Sequence, residues 1–81
     1  MLTELVESIV KKLVDKPEKI SIREVINDGL ITVELKVAPE DLGKIIGKEG
    51  KMARVIRTLV HLSASAKGQN AVLEILEQNK D

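Results

Sequence analysis

The chain of 81 residues is long enough for one domain and too short for two, so residues 1–81 are treated as a single unit. Its composition, 43% hydrophobic and 32% charged, is that of a folded globular protein, and the absence of cysteine excludes disulfides and thiolate metal sites. The formal charge is zero, which at first argues against a nucleic-acid ligand. No apolar run approaches the ~20 residues that cross a bilayer, and Glu4 and Glu7 stand where a secretory signal carries cations, which together predict an unanchored, cytoplasmic protein.

The first predicted element is an amphipathic helix over about residues 2–14. Thr3 is the expected N-cap, and Pro17 is expected to stop the helix because it lacks a backbone N–H donor. Apolar side chains recur at helical spacing on one side, with charged side chains on the other. The apolar residues are Leu2, Leu5, Val6, Ile9, Val10, Leu13 and Val14.

A two-stranded hairpin is predicted next. Its strands cover residues 20–26 and 31–37, and the Asp28-Gly29 pair between them suits a tight turn that requires positive φ. The first strand loses its alternation near Glu24 and Val25, which indicates either a bulge or an early strand end. The second strand alternates strictly and is expected to bury one face, formed by Ile31, Val33, Leu35 and Val37.

Two helices and a closing strand complete the chain. Pro39 suits the first position of a short helix, where Glu40 and Asp41 favour the positive dipole end, and this helix ends at Gly47. A longer helix is predicted from about Gly50 to Ala66. A turn at residues 68–70 then leads to a strand over residues 71–76 and a polar tail, residues 77–81, that is expected to fray. The order α-β-β-α-α-β predicts an α+β fold, with a three-stranded sheet covered on one face by helices.

The longer helix has an unusually wide apolar face. Its apolar residues cover an arc of ~200°, about twice the minimum for a helix that lies on one core. This width indicates either packing on two sides within the domain or contact with another chain. The residues are Met52, Ala53, Val55, Ile56, Leu59, Val60, Leu62, Ala64 and Ala66.

The segment that indicates a function is the loop Gly47-Lys48-Glu49-Gly50 between the two helices. Two glycines exceed what a helix end needs, and glycine lets another backbone approach closely. The first N–H groups of the next helix are free donors that favour an anion. Cations such as Lys48 and Lys51 are unfavourable at that helix end unless an anion is bound there.

The charge distribution supports a phosphate ligand. Residues 1–40 hold six cations and eight anions, whereas the segment from residue 44 to residue 67 has six cations opposed by Glu49 alone. The cations are Lys44, Lys48, Lys51, Arg54, Arg57 and Lys67. Arg54, Arg57 and His61 share the polar side of the longer helix. Because Phe, Tyr and Trp are absent, bases cannot stack on aromatic rings, and Ile45, Ile46 and the rim of the sheet are expected to provide an aliphatic floor.

This loop, preceded by Ile45-Ile46 and set between helices in the α-β-β-α-α-β order, resembles a type II K-homology (KH) domain over essentially the whole chain. Within that family, residues 38–57 and the lack of an appended domain are most similar to small bacterial stand-alone KH proteins of the KhpA type. The resemblance implies that the loop clamps about four nucleotides of single-stranded RNA or DNA, in post-transcriptional regulation. The implied RNA-binding residues are Lys44, Ile46, Gly47, Lys48, Glu49, Gly50, Lys51, Arg54 and Arg57.

The resemblance also implies that the long helix forms a dimer, with itself or with a larger KH-containing partner of the KhpB type. This agrees with the wide apolar face, and the expected interface residues are Val55, Leu59, Leu62 and Ala66. Glu49 departs from a purely basic loop and weakens its attraction for phosphate.

Other functions have less support in the sequence. A G-x-x-G motif is frequent by chance, and alone it indicates no more than a turn between helices. His61 is the only histidine, and Ser63 and Ser65 have no orienting carboxylate in the same segment, so no catalytic residue, metal site or cofactor is predicted. The main alternative is an interaction module in which the long helix pairs and the loop has no role.

Overall fold

The computed structural model describes residues 2–77 and confirms the predicted α-β-β-α-α-β order. The helices and strands are α1 (Leu2–Lys11), β1 (Ser21–Asn27), β2 (Leu30–Val37), α2 (Leu42–Ile46), α3 (Lys51–Ser65) and β3 (Asn70–Glu77). Short 3-10 helices cover Pro17–Lys19, Pro39–Asp41 and Lys48–Gly50. Of the tail expected to fray, residue 77 ends β3 and residues 78–81 lie outside the described part.

The three strands form one mixed sheet in the order β1-β2-β3. Strand β2 lies at the centre, antiparallel to β1 and parallel to β3. The β1–β2 register runs without interruption from Ser21 opposite Lys36 to Asn27 opposite Leu30, so there is neither a bulge nor an early strand end. The alternation fails in β1 because it is an edge strand whose end is uncovered, with Ile26 67% exposed.

The turn of the hairpin has the predicted geometry. Asp28 has φ 53° and Gly29 has φ 80°, and two consecutive positive φ values match the twist of the flanking strands. The turn therefore sets the register that buries one face of β2.

The first helix ends earlier than predicted. It stops at Lys11, and the N–H groups of Leu13 and Val14 both donate to the carbonyl of Val10, which turns the chain and still buries Val14. The end is therefore set by this turn, upstream of Pro17. Thr3 lies inside the helix, so its prediction as the N-cap was wrong.

The core lies between the helices and the covered face of the sheet. As predicted, the alternating residues of β2 are buried, and apolar residues from all three helices pack with them. These residues include Val6 and Val10 of α1, Ile31, Val33, Leu35 and Val37 of β2, Ile45 of α2, and Ile56, Val60 and Ala64 of α3.

Only part of the wide apolar arc of α3 belongs to this core. Ala53, Ile56, Val60 and Ala64 are buried, whereas Val55, Leu59 and Leu62 are 51%, 37% and 58% exposed. The domain therefore does not pack this helix on two sides. Contact with another chain, the second alternative, remains a prediction.

Candidate nucleic-acid interface

The Gly47–Gly50 loop is a tight turn between α2 and α3. Gly47 has φ 77° and ψ 177°, Glu49 has φ 57°, and Gly50 has φ 75°. Three of the four loop residues thus have positive φ, a conformation that costs a residue with a Cβ about 1–2 kcal/mol. The local geometry alone explains part of the glycine requirement.

The two glycines differ in the space beside them. A Cβ on Gly47 would lie 2.7 Å from Cβ of Met52 and 2.9 Å from its backbone nitrogen, so α3 itself fills that space. A Cβ on Gly50 would meet nothing within 4 Å. The expectation that both glycines leave room for a ligand was therefore wrong at Gly47, and the open position is Gly50.

Part of the loop's hydrogen-bonding capacity is used internally. The N–H of Gly47 donates to the carbonyl of Gly43 at 2.8 Å, and that of Gly50 donates to the carbonyl of Gly47 at 3.2 Å. The N–H of Lys51 donates to the carbonyl of Lys48. Among residues 2–77, the structure gives no acceptor to the N–H groups of Lys48 and Glu49. The N–H of Lys51, the first residue of α3, is therefore not free as predicted, and the two free donors lie in the turn that precedes this helix.

Charged side chains surround these two donors. Lys48, Glu49 and Lys51 are exposed, and the Lys51 ammonium lies 3.9 Å from the Glu49 carboxylate. The Arg54 guanidinium donates to the backbone carbonyl of Glu49 at 3.0 Å, which ties α3 to the loop. Arg54 thus braces the loop, a contact that the sequence did not predict.

A groove lies along α3, and Arg54, which donates to the loop, lines one part of it. It has a volume of about 340 Å³ and lies between one side of α3 and the edge strand β3. Its lining includes the predicted Arg54, Arg57 and His61, and also Thr58, Ala71 and Val72, which the sequence did not indicate. Those additions depend on the parallel pairing of β3 with β2, for which the sequence carries no local signal.

The two isoleucines before the loop have different environments. Ile45 is fully buried in the core and cannot contact a base, so its predicted place in an aliphatic floor was wrong. Ile46 is 39% exposed and remains available beside the loop. The helical spacing of α2 explains the difference, since adjacent residues point about 100° apart.

Lys44, one of the predicted RNA-binding residues, has carboxylate partners within the domain. Its ammonium donates to the carboxylate of Asp15 and lies 3.7 Å from that of Asp41. The hydrogen bond to Asp15 raises the pKa of Lys44, opposed by burial. The Lys44 ammonium is therefore already paired with carboxylates of the same chain.

A second exposed surface lies on a different side of α3 from the groove. Val55, Leu59, Leu62 and Ala66 recur at helical spacing and are all exposed. We call these four residues the apolar stripe. They are the residues predicted to form an interface with another chain, and that interface stays a prediction.

Neither a metal centre nor a membrane span is found in the described part of the chain. The side chains described, those of residues 2–76, contain no group of three or more potential metal ligands. No helix among them is long and apolar enough to span a bilayer.

A family model and individual relatives of this chain point to the same protein family. The family described as KhpA/KhpB, KH domain, matches residues 3–75. RNA-binding protein KhpA of Clostridium perfringens is 49% identical over 75 residues, which cover 93% of this chain and 100% of that protein. RNA-binding protein KhpA of Aquifex aeolicus is 41% identical over 76 residues, covering 94% and 96% of the two chains.

Solved structures show the same fold within larger proteins. A crystal structure of Era in complex with MgGDPNP and nucleotides 1506–1542 of 16S ribosomal RNA superposes with a TM-score of 0.65 at 23% identity. Era of Aquifex aeolicus bound to GDP and an aluminium fluoride gives a TM-score of 0.63, also at 23% identity. In both, the alignment covers 94% of this chain and 29% of the larger one, so the similarity concerns the fold of one part.

Proposed function

Since the chain belongs to the KhpA/KhpB KH-domain family, we propose that it binds single-stranded RNA at the Gly47–Gly50 loop and the adjoining groove. Relatives 41% to 49% identical carry the name RNA-binding protein KhpA. The observation that supports the proposal best is the pair of unpartnered N–H donors at Lys48 and Glu49, beside the open space at Gly50. The function is binding without catalysis, in the cytoplasm.

The loop suits a phosphate group of the RNA backbone. Two free N–H groups in the turn just before the 15-residue helix α3 supply donors, and the dipole of α3 adds a partial positive charge nearby. Lys48 and Lys51 add point charges that reach phosphate without fixed geometry. A charge-assisted hydrogen bond contributes about 1.5–3 kcal/mol, so one phosphate on two donors accounts for weak binding that does not depend on base sequence.

The groove gives the nucleotides a path beyond the loop. Arg57 and His61 line it on the α3 side, and the free edge of β3 offers backbone groups that can bond to base edges. Ile46 and Val72 are 39% and 43% exposed and can contact the faces of bases in place of aromatic rings. The absence of aromatic stacking predicts modest affinity for one domain.

The test is a double substitution, Lys48→Asp with Glu49→Asp, assayed by titration with a labelled single-stranded RNA. It replaces a loop cation with an anion and keeps the second carboxylate, and Asp tolerates the positive φ of position 49 better than Glu does. We expect at least a tenfold loss of affinity, because one charge-assisted contact is replaced by repulsion.

The matched control is Lys36→Glu, which makes the same change of charge on an exposed residue of β2. Lys36 lies on the sheet face opposite the helices, so the RNA affinity of the Lys36→Glu variant should stay near that of the wild type. Circular dichroism must show both proteins folded. Unchanged affinity in the double variant, or an equal loss in the control, would refute the proposal.

A second proposal concerns the apolar stripe, which we assign to pairing of α3 with a second copy of the chain or with the KH domain of a KhpB-type protein. Leu62 and Val55 are more than half exposed, although they are apolar and stand on a well-formed helix. Three large apolar side chains on one helix face form the kind of patch that marks a protein interface. Light scattering of the purified chain distinguishes a dimer from a monomer.

A further inference from the structure

Asp41 is the one buried charged side chain among residues 2–76, with 1% exposure. Its Oδ1 accepts the backbone N–H of Asp15 at 3.1 Å, and its Oδ2 accepts that of Lys16 at 3.0 Å. Both donors belong to the segment between α1 and β1, about 25 residues away in sequence. The buried carboxylate therefore joins two distant parts of the chain, and the RNA-binding surface described above does not include it.

Four neighbouring side chains extend this connection. Lys44 binds Asp15 and lies 3.7 Å from Asp41, and Lys16 binds Glu40 at 2.6 Å. The exposed pairs contribute little individually. Together, however, they cross the same junction as the buried carboxylate. We call Asp15, Lys16, Glu40, Asp41 and Lys44 the Asp41 cluster.

The position of the cluster relates it to the loop. Asp41 immediately precedes α2, and α2 is only five residues long before it ends at Gly47. A helix this short has little stability of its own, so its direction must be fixed by contacts. At its far end, Ile45 is buried in the core and Gly47 packs against Met52. At its near end, Leu42 packs partly against the core, and the polar contact is made by the buried carboxylate of Asp41.

We propose that the Asp41 cluster is a positioning device that sets the direction of α2 and thereby aims the N–H donors of Lys48 and Glu49 at a phosphate. This inference rests on the proposed RNA-binding function. In this arrangement Lys44 acts through Asp15 and Asp41 and does not contact phosphate, because its ammonium is already paired. A change at Asp41 should then weaken RNA binding although the residue never touches RNA.

The first test compares Asp41→Ala and Asp41→Asn with the wild type, at a temperature well below the unfolding midpoint of each protein. We expect Asp41→Ala to lose about tenfold in affinity for single-stranded RNA, the equivalent of one misaligned charge-assisted contact. Asp41→Asn keeps one acceptor oxygen, so its affinity for RNA should lie between those of Asp41→Ala and the wild type. In spectra of the RNA-free proteins, the amide resonances of Lys48 and Glu49 should shift in the same order.

The control for a general loss of stability is Val33→Ala, which opens a cavity at a fully buried residue of the central strand that is not part of the cluster. This variant should unfold at a lower temperature and bind RNA as the wild type does. Wild-type affinity and loop resonances in Asp41→Ala would overturn the inference, as would an equal loss in Val33→Ala. If the wild type itself binds no RNA, the proposed function fails, and the loop resonances alone then decide whether the cluster positions the loop.

The second test concerns Lys44 and uses the salt dependence of binding. Each phosphate contact made by a cation adds about 0.7 to the slope of log affinity against log salt for a single strand. Lys48→Met should reduce that slope, whereas Lys44→Met should lower affinity and leave the slope at the wild-type value. A reduced slope in Lys44→Met would show direct phosphate contact and refute its positioning role.

Discussion

At the residue scale, Gly47 and Gly50 occupy equivalent places in the motif but have different physical roles. Gly47 combines a positive φ with contact to Met52, so its glycine is required by packing within the domain. Gly50 has a positive φ and open space, so only its backbone conformation restricts the residue. The motif therefore joins one structural glycine to one that leaves a surface accessible.

The two positions should respond differently to alanine. Gly50→Ala should cost about 1–2 kcal/mol of unfolding free energy, the cost of a left-handed residue with a Cβ. Gly47→Ala adds a clash at 2.7 Å with Cβ of Met52 and should cost more than that. Urea denaturation measures both values. RNA titration should show weaker binding by folded Gly50→Ala, because its methyl group occupies the open side of the loop.

Equal destabilisation by the two substitutions would contradict this assignment. So would wild-type RNA affinity in Gly50→Ala, since the open space would then have no part in binding. The sequence could indicate that both glycines matter, through their spacing and the flanking cations. It could not show which of them is filled, because that depends on how closely Met52 approaches across the turn.

At the element scale, local patterns predicted the strands well where the residues themselves impose the pattern. The Asp28-Gly29 turn and the alternation of β2 were confirmed, since turn conformation and burial act over a few neighbouring residues. The continuous register of β1 was missed, because an uncovered edge strand has no need to alternate. The groove beside β3 was also missed, since it arises from pairing between segments more than thirty residues apart.

Asp41 shows how a residue typical of a helix start can have a different role. The sequence predicted that its charge favours the helix dipole, but its carboxylate makes no cap hydrogen bond and binds the segment after α1 instead. The hydrogen bond from Asp15 lowers the pKa of Asp41 most, burial opposes it, and the N–H of Lys16 and the ammonium of Lys44 lower it further. We therefore expect the connection between α1 and α2 to weaken in acid.

The sign of this effect can be worked out. Because the pKa of Asp41 is lower in the folded than in the unfolded protein, the ionised carboxylate stabilises the fold above the unfolded value, about 4, and this contribution disappears as the pH falls further. Asp41→Asn cannot ionise, so it should unfold at a lower temperature than the wild type at pH 7. We expect the difference between their midpoints to shrink as the pH is lowered to about 3. A constant difference over this range would show that ionisation of Asp41 does not stabilise the junction.

At the scale of the whole molecule, α3 separates two surfaces of opposite character. Its cationic side, with Arg54 and Arg57, borders the groove, and its apolar stripe lies elsewhere on the same helix. Pairing through the stripe would leave the groove of each copy accessible. It would also double the number of loops available to one RNA strand. Because the chain as a whole carries no net charge, attraction of RNA depends on these local cationic surfaces.

This arrangement predicts that the gain from pairing depends on the length of the RNA. Leu62→Lys places two like charges in the proposed interface and should produce a monomer by light scattering, while the added cation cannot repel RNA. Its affinity for an oligonucleotide of about four nucleotides, enough for one domain, should equal that of the wild type. For a strand that spans both loops it should fall by about a hundredfold, at the lower end of the gain that linked sites provide. The control Val25→Lys adds the same charge on the open face of the sheet and should keep both the dimer and the wild-type affinity for RNA. If Leu62→Lys instead lost affinity equally for short and long strands, the stripe would be shown to affect the loop itself.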